Sequence, residues 1–344
     1  MEKKNLPSSL GFKMPAEWHK HKATWISWPH NKDTWKNIKE IEGTYAQIVK
    51  GLHTGEIVNI LVNDLNEEKS ASKKLLAAKV SLSQVKFWKI PTVDAWIRDY
   101  GPNFLINEKT KEAAFNKWVF NAWGNKYEDL KQDTNVPDKI NQTLKLRCFN
   151  PGIVLEGGSI DVNGKGICMT TEQCLLNKNR NPHLSKAEIE DYLKNYLGVN
   201  EILWLKKGIE GDDTDGHIDD IARFVNENTI LLAYAEKGDK NHYALHENLM
   251  ILEDFAKNRK FNIVKLPIPT VMDGDFKLPA SYANFLIGND AVLVPIYGDK
   301  GKDKEALEII GEYFPTRKTI GINCRALVYG FGAIHCMSQQ EPLA

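Results

Sequence analysis

The sequence predicts a single α/β domain, spanning residues 1–344, in which about five hairpin–helix–strand units surround one central site. Three observations lead to this prediction. Apolar runs are paired across turn residues four times, segments with helical periodicity lie between the pairs, and a polar motif precedes each hairpin. No glycine-, serine- or proline-rich linker divides the chain, which favours one domain over two.

Four β-hairpins are predicted from apolar or alternating runs on either side of a turn. The turn Asn163-Gly164 in the second hairpin is a strong signal for a tight type I′ connection. The paired strands are predicted at residues 103–106 with 113–115, 159–162 with 167–171, 222–225 with 229–233, and 284–287 with 291–296.

Helices are predicted between the hairpins. Ser185 and Glu188 have the spacing of a capping box, apolar residues follow with helical period, and Gly198 ends the segment. Similar apolar periodicity marks helices near residues 307–314 and 45–52. Strands are predicted after their helices at residues 202–205 and 263–266.

The polar motifs recur with a spacing near 60 residues. Their reference positions, separated by 57, 61, 64 and 55 residues, are Asp99, Glu156, His217, Ser281 and Cys336. Such a recurrence is typical of a repeated supersecondary unit. If the units are equivalent, the motifs lie at equivalent strand ends and converge on one site.

The chemistry of these motifs points to a guanidinium group. Cys336 is the candidate nucleophile, and its neighbour His335 should point to the opposite face of a strand. His217 is therefore the candidate base, with Asp219 two residues on and on the same face. Carboxylates would destabilise an oxyanion, whereas they suit a planar cation with several N–H donors. Thiol, imidazole and carboxylates together indicate hydrolysis at a guanidinium carbon.

Structural interpretations stand beside this one. Any single cysteine could be a small buried residue, and this is the expected role of Cys148, Cys168, Cys174 and Cys324. His217 and Asp219, close to Asp212, Asp213 and Asp215, could instead form a metal cluster. Arg98-Asp99 could be a structural ion pair, and Glu156-Gly157-Gly158 could be only a turn. Trp18, Trp25, Trp28 and Trp35 are expected to pack in the core and at its rim.

Composition excludes several other classes of protein. The chain has 45 Lys and Arg against 45 Asp and Glu, so it lacks the basic excess that favours nucleic-acid binding. No apolar run approaches the roughly 20 residues needed to span a bilayer, and the N-terminus has no apolar signal segment. Five cysteines without a CxxC pattern suggest neither a disulfide framework nor a zinc ribbon. We expect a cytoplasmic protein with no nucleic-acid or membrane partner.

Several motifs together resemble the agmatine deiminase family of the guanidino-group-modifying superfamily. They include residues 14–18, 94–102, 120–124, 155–159, 176–184, 211–219 and 334–342. The resemblance extends nearly from end to end. It implies a five-fold pseudosymmetric α/β propeller, in agreement with the repeat.

The resemblance also implies roles for individual residues. Cys336 matches the nucleophile that forms an amidino-cysteine intermediate, and His217 matches the general acid and base. Asp99 and Asp219 match the carboxylates that hold the guanidinium, while Glu156 matches the residue that holds the histidine. The expected substrate-binding residues are Asp99, Asp219, Trp96, Trp123, Asp213 and Asp215.

The predicted activity is hydrolysis of agmatine to N-carbamoylputrescine and ammonia, without a cofactor or metal. A hydrolase of this kind acts on the C–N bonds of linear amidines. Deimination of free or peptidyl arginine is the alternative within the family. A guanidinium-binding protein without turnover and a metallohydrolase are the alternatives outside it, and a homo-oligomer is left open.

Two further features bear on the substrate. Asp212, Asp213 and Asp215 precede His217, and an aspartate at the pocket mouth would attract an amine and repel a carboxylate. This favours agmatine over arginine. The family commonly has Gly-Gly-Gly-Asn before Ile-His-Cys, but residues 330–333 read Gly-Phe-Gly-Ala here. The bulky Phe331 and the missing amide should change the outer pocket.

Overall fold

Five β-sheets of three or four strands, with helices between their strands, dominate the computed structural model, which describes residues 5–344. Four of these sheets repeat one plan along the chain. Two strands form an antiparallel hairpin, helices follow, and a third strand then pairs parallel to the second. This is the predicted hairpin–helix–strand unit.

The four units are built from elements whose bounds are as follows. The first contains β4 (Asn103–Asn107), β5 (Glu112–Asn116), α4 (Ala122–Asn125), α5 (Val136–Leu144) and β6 (Arg147–Phe149). The second contains β7 (Asp161–Val162), β8 (Ile167–Thr171), α6 (Glu172–Leu175), α7 (Lys186–Leu197) and β9 (Glu201–Leu205). The third contains β10 (Ala222–Asn226), β11 (Thr229–Tyr234), α8 (His242–Ala256) and β12 (Asn262–Pro267). The fourth contains β15 (Leu286–Ile287), β16 (Ala291–Ile296), α9 (Lys300–Tyr313) and β17 (Lys318–Asn323).

The fifth sheet joins the two ends of the chain. Its strands, in spatial order, are β18 (Ser338–Pro342), β1 (His21–Ser27), β2 (Ile57–Val62) and β3 (Val85–Lys89). β18 is antiparallel to β1, and β2 and β3 are parallel to it, connected by α1 (Ile38–Leu52) and α2 (Leu65–Ala77). The short helix α3 (Ile97–Tyr100) follows this sheet, and a separate two-stranded hairpin, β13 (Met272–Asp273) with β14 (Phe276–Lys277), precedes the last unit.

The predicted local structure is confirmed in most places. All four hairpins are present, and Ser185 and Glu188 form the capping box at the start of α7. Gly198 ends that helix with φ +65°, a left-handed conformation that glycine adopts without strain. Two hairpins begin two residues later than predicted, at Asp161 and Leu286, because the residues before them form turns. The arrangement of the units around one axis, and the extent of the single domain, stay predictions.

The core lies between the sheets and the helices that cover them. Three clusters of buried apolar side chains account for it, and Trp25, Trp28 and Trp35 belong to the largest, as predicted. Trp18 is partly buried against two of them. Within residues 5–344, no helix is both long and apolar enough to cross a lipid bilayer.

Candidate active site

The polar motifs lie in short turns directly before the first strand of each unit. Asp99 is in α3 before β4, Glu156 precedes a 3₁₀ turn before β7, and His217 caps a 3₁₀ turn before β10. Residues 281–284 and 334–337 form the corresponding turns before β15 and β18. The prediction that His217 and Asp219 share one face of a strand is therefore wrong. The 3₁₀ turn brings both residues to the site instead.

The thiol of Cys336 is buried among carboxylates and one amide. Asn284 Nδ2 donates to Cys336 Sγ at 3.0 Å, and Asp219 Oδ2 lies 3.8 Å from the same sulfur. Burial, together with the negative charges of Asp219, Asp220 and Asp99, raises the pKa of the Cys336 thiol well above its ordinary value. These surroundings disfavour the thiolate, and a cation among the carboxylates would favour it.

His217 is fully buried, and neither ring nitrogen has a hydrogen-bond partner among the described residues. Nδ1 lies 3.7 Å from Asp99 Oδ1, and Nε2 lies 4.0 Å from Glu156 Oε2. Burial alone would lower the pKa of His217, but Asp99, Cys174 and Glu156 raise it well above its ordinary value. The two neighbouring carboxylates thus favour the protonated imidazole, whose ring nitrogens are both potential N–H donors.

Asp99 is oriented by two N–H donors. Trp123 Nε1 donates to Asp99 Oδ2 and the backbone N–H of Gly158 donates to Asp99 Oδ1, each at 2.9 Å. Burial raises the pKa of this carboxyl, and Asp219 and Glu156 raise it further against the lowering effect of His217. Both hydrogen bonds fix the plane of the carboxylate toward the cavity described below.

Gly158 allows these groups to come together. A Cβ atom at this position would lie 2.6 Å from His217 Nδ1, 2.9 Å from Asp99 Oδ1 and 3.0 Å from Asp219 Oδ2. Any side chain would therefore displace the imidazole and two carboxylates at once. The Glu156-Gly157-Gly158 motif thus supplies a close backbone approach as well as a carboxylate.

Glu156 is held by a buried arginine on the side away from His217. Arg180 Nε donates to Glu156 Oε1 at 2.7 Å, and the Arg180 side chain also pairs with Asp215 at 2.7 Å. Glu156 Oε2 has no hydrogen-bond partner among residues 5–344. One carboxylate oxygen is therefore used for orientation, and the other faces the imidazole.

Behind Cys336, His335 connects the site to a buried ion-pair cluster. His335 Nδ1 contacts Asp219 Oδ2 and His335 Nε2 contacts Glu17 Oε2, both at 2.7 Å. Arg223 also donates to Glu17 Oε2 at 2.6 Å. Burial alone would raise the pKa of Glu17, but Arg223, His335 and Arg98 lower it well below its ordinary value. His335 lies in the turn of residues 334–337, not in the strand whose alternation was predicted to separate it from Cys336, and its Nδ1 positions Asp219.

A cavity of about 810 Å³ opens onto Cys336 and Asp99. Trp96 and Trp123, predicted substrate-binding residues, line it as well. His217, Asp219 and Glu156 are fully buried and are not among its lining residues. The described lining residues include six acidic side chains, at Asp33, Asp94, Asp99, Glu128, Asp129 and Asp213, against a single lysine, Lys32.

The structure separates the three aspartates of the acidic loop. Asp213 lines the cavity, where Tyr127 Oη donates to its carboxylate at 2.6 Å and Lys126 lies 3.5 Å away. Asp215 does not line the cavity, because Arg180, Asn179 and Lys126 hold its carboxylate outside it. Asp212 accepts from Thr214 and Gly216 within its own turn. Direct contact of Asp215 with a substrate in the cavity is therefore not supported.

Phe331 lines the outer part of the cavity, as the departure from the family motif suggests. Its φ is +66°, a conformation that favours glycine over a bulky residue. The Phe331 ring packs edge-on against Phe276 of β14 at 6.1 Å between centroids. The loop before Ile334 is thus fixed in a form that puts an aromatic ring beside the cavity mouth.

Two groups of buried side chains have the ligand types for a metal ion. They are Glu156 with Cys174 and His217, and Asp219 with Asp220 and Cys336. Neither group includes Asp212, Asp213 or Asp215, so the metal cluster suggested by the sequence does not assemble in the structure. Both groups share residues with the thiol–imidazole site.

Three contacting residues were not predicted as members of the site: Asn284, Gly158 and Cys174. Asn284 occupies the fourth polar motif, so the 60-residue recurrence pointed to its place without revealing its contact with the sulfur. Cys174 has its sulfur within 4.8 Å of ligand atoms of both His217 and Glu156. Nothing in the local sequence distinguishes it from the buried Cys168 and Cys324.

Comparisons with known proteins agree with this geometry over nearly the whole chain. A family model described as Porphyromonas-type peptidyl-arginine deiminase matches residues 13–342. The agmatine deiminase of Medicago truncatula is 35% identical over 378 residues, with 99% of each chain covered. The solved agmatine deiminase of Enterococcus faecalis superposes with a TM-score of 0.90 at 34% identity, covering 98% of each chain. An agmatine deiminase of C. jejuni, solved with substrate bound, gives a TM-score of 0.87 at 33% identity and covers 96% of each.

Proposed function

The chain belongs to the Porphyromonas-type peptidyl-arginine deiminase family, and from this premise we propose that it hydrolyses agmatine to N-carbamoylputrescine and ammonia. The observation that carries the proposal is the acidic cavity that ends on the thiol of Cys336. Proteins named agmatine deiminase match this chain over nearly their full length, which supports the same activity here.

The cavity suits a molecule that is cationic at both ends. Agmatine has a guanidinium at one end of a four-carbon chain and an ammonium at the other. The carboxylate of Asp99 faces the cavity beside Cys336, where it can pair with the guanidinium. The remaining acidic lining favours an ammonium over the additional carboxylate of arginine.

The first chemical step forms a covalent intermediate. Once the guanidinium is bound among Asp99 and Asp219, its positive charge offsets the carboxylates that disfavour the thiolate, and the Cys336 thiol releases its proton to solvent. The Cys336 thiolate then attacks the guanidinium carbon, and one C–N bond breaks. His217 donates the proton that the departing nitrogen needs to leave as ammonia.

The second step consumes water. His217, now neutral, accepts a proton from water as its oxygen adds to the amidino carbon. The C–S bond breaks with Cys336 leaving as the thiolate, the remaining hydroxyl proton of the adduct passes to this sulfur, and the neutral ureido product leaves with the thiol restored. Asp99, Asp219 and Glu156 act by holding the substrate and the imidazole in place rather than by bonding to carbon.

The finer features of the family also enter the proposal. The five sheets would surround a pseudo-five-fold axis, as the shared hairpin–helix–strand plan suggests. Equal numbers of acidic and basic residues support a protein that does not bind nucleic acid, and unpaired cysteines support a reducing, cytoplasmic environment.

Replacement of the nucleophile tests the covalent mechanism. Cys336→Ala should abolish turnover of agmatine while the protein remains folded, because the reaction then lacks its attacking atom. Cys168→Ala is the matched control, since Cys168 is also buried but lies in β8, and it should reduce stability rather than activity. Turnover above a trace in the Cys336 variant would reject the mechanism.

Chelation tests the metallohydrolase alternative. The proposed reaction uses only side chains, so activity should survive exhaustive EDTA treatment, with no stoichiometric metal by elemental analysis. Activity that is lost on chelation and restored only by added metal would favour one of the two buried ligand groups over the thiol–imidazole pair.

A further inference from the structure

Asn284 brings an amide from the fourth polar motif into contact with the reacting sulfur. Its side chain is fully buried, and Nδ2 lies 3.0 Å from Cys336 Sγ and 3.0 Å from Asp220 Oδ1. An amide nitrogen carries two N–H groups, so it can donate to both atoms at once. The contact joins the turn before β15 to the turn before β18.

The orientation of this amide is determined by its surroundings. Asn284 Oδ1 accepts from the backbone N–H of His335 at 2.9 Å and lies 3.4 Å from that of Cys336. If the amide were flipped, its N–H groups would face these two donors, and its oxygen would face the carboxylate of Asp220. The nitrogen must therefore point to the sulfur.

A neutral donor suits this position better than a charged one. Asp219, Asp220 and Asp99 all disfavour a negative charge on Cys336. A lysine or arginine would offset them, but it would pair with the carboxylates and repel the cationic substrate. An amide N–H can stabilise the thiolate without adding a positive charge to the guanidinium site.

We propose that Asn284 is a further catalytic residue, whose Nδ2–H stabilises the Cys336 thiolate before it attacks and again when it is released. Asp220 is a positioning residue in this arrangement, because it accepts the second N–H and keeps the amide in place. This inference rests on the proposed function, in which Cys336 is the nucleophile.

The test combines two variants of Asn284 with a control in the same turn. Asn284→Ala removes the donor, although the Asn284 backbone carbonyl still accepts from His335 N at 3.2 Å. Asn284→Asp keeps the shape and the Oδ1 acceptor but replaces the donor with oxygen. Ser281→Ala is the control. The buried Ser281 hydroxyl forms hydrogen bonds with the backbone of Asp220 and Ala283, and in the described part of the chain it forms none with the sulfur of Cys336.

The readouts are the pH dependence of Cys336 alkylation by iodoacetamide without substrate, and kcat and KM for agmatine. Peptide mass spectrometry assigns the alkylation to Cys336, and thermal unfolding confirms that each variant is folded. Both Asn284 variants should shift alkylation of Cys336 to higher pH by about one unit or more. They should lower kcat on the order of 10²-fold with little change in KM, since a hydrogen bond to a charged group is lost.

Ser281→Ala should melt at a lower temperature without shifting the alkylation profile. An unchanged profile in a folded Asn284 variant, or an equal shift in Ser281→Ala, would overturn the proposal. If Asn284→Ala does not fold, Asn284→Leu decides the question, because it is neutral and of similar size but lacks the N–H donor, so no added charge contributes to its shift. Since alkylation is measured without agmatine, failure here is distinct from failure of the proposed function, which would appear as absence of agmatine turnover by the wild-type protein.

Discussion

Two buried histidines of the candidate active site, His335 and His217, differ in whether their ring nitrogens have hydrogen-bond partners. Both ring nitrogens of His335 contact carboxylates at 2.7 Å, one from Asp219 and one from Glu17. Neither ring nitrogen of His217 has a hydrogen-bond partner in the described part of the chain. Glu156 Oε2 and Asp219 Oδ1, also buried, are likewise without partners there.

The difference separates the support of the site from the site itself. A buried polar group without a partner costs free energy, so such groups are expected where a ligand will supply the missing contacts. The unpaired atoms of His217, Glu156 and Asp219 belong to residues assigned to the reaction. The paired atoms of His335 and Glu17 hold the turn behind Cys336. We therefore expect replacements in the first group to affect rate and those in the second to affect stability.

Replacing each histidine by glutamine tests this comparison most strongly. His217→Gln should lower kcat by about 10²- to 10⁴-fold, the usual contribution of a general acid and base, without unfolding the protein. His335→Gln should lower the free energy of unfolding, because two buried carboxylates lose their partner. Steady-state kinetics and denaturant unfolding of both variants measure the two effects. If His335→Gln were stable but slow and His217→Gln unstable but active, the assignment would be reversed.

Neutralising the guanidinium-binding carboxylates should have the next largest effect. Asp99→Asn and Asp219→Asn keep the side-chain shape but remove a charge-assisted contact, so kcat/KM for agmatine should fall on the order of 10³-fold. Glu172→Gln, which changes a partly exposed carboxylate paired with Lys186 and Lys206, serves as the control. Values within tenfold of wild type would mean that Asp99 and Asp219 are structural.

Glu17→Gln tests the paired carboxylate behind Cys336 through the pH dependence of the free energy of unfolding. It should destabilise the protein by about 3 kcal/mol at neutral pH, since Arg223 and His335 lose a buried charged partner. The folded-state pKa of Glu17 lies well below its ordinary value of 4.5, so its contribution is complete above that pH and is lost as the pH falls toward the folded value. Urea unfolding of both proteins should give a constant gap from pH 7 to 5 that narrows in acid. A gap that widens in acid would contradict this sign.

Asp213→Asn should have the smallest effect on kcat/KM. It tests a carboxylate of the cavity lining that already has partners. The Asp213 carboxylate is already shared with Tyr127 and Lys126, so it attracts a substrate ammonium less than an unpaired carboxylate would. We expect kcat/KM for agmatine to fall about tenfold or less, with little change for L-arginine. Asp215→Asn is the comparison variant, and a larger loss of substrate preference in it would place the ammonium near Asp215 instead.

The repeated hairpin–helix–strand plan could be predicted from the sequence because it depends on local signals that recur along the chain. Turn residues such as Asn163-Gly164 and caps such as Ser185 act over a few residues, so they could be read without knowing the fold. The 60-residue recurrence then placed Asp99, Glu156, His217 and Cys336 in corresponding turns. Their roles rest on chemistry and on the family resemblance.

Contacts that depend on three-dimensional packing could not be predicted in the same way. Asn284 was predicted only as a member of the fourth polar motif and as the first residue of a strand, because its contact with Cys336 spans 52 residues and no local signal marks it. Asp213 and Asp215 were both predicted to bind substrate, yet Arg180 holds Asp215 away from the cavity while Asp213 remains at its lining. His217 and Asp219 reached the site by a 3₁₀ turn rather than by strand alternation.

The central claim is that the acidic cavity presents a dicationic substrate to Cys336, and a product assay with competing guanidines tests it most directly. Wild-type protein would be assayed for ammonia and for ureido product with agmatine, L-arginine and a peptidyl-arginine substrate. We predict kcat/KM for agmatine at least 10²-fold above that for L-arginine, a difference of about 2.7 kcal/mol that one mispaired charge can supply. Turnover of L-arginine or of peptidyl-arginine as efficient as that of agmatine would contradict the claim.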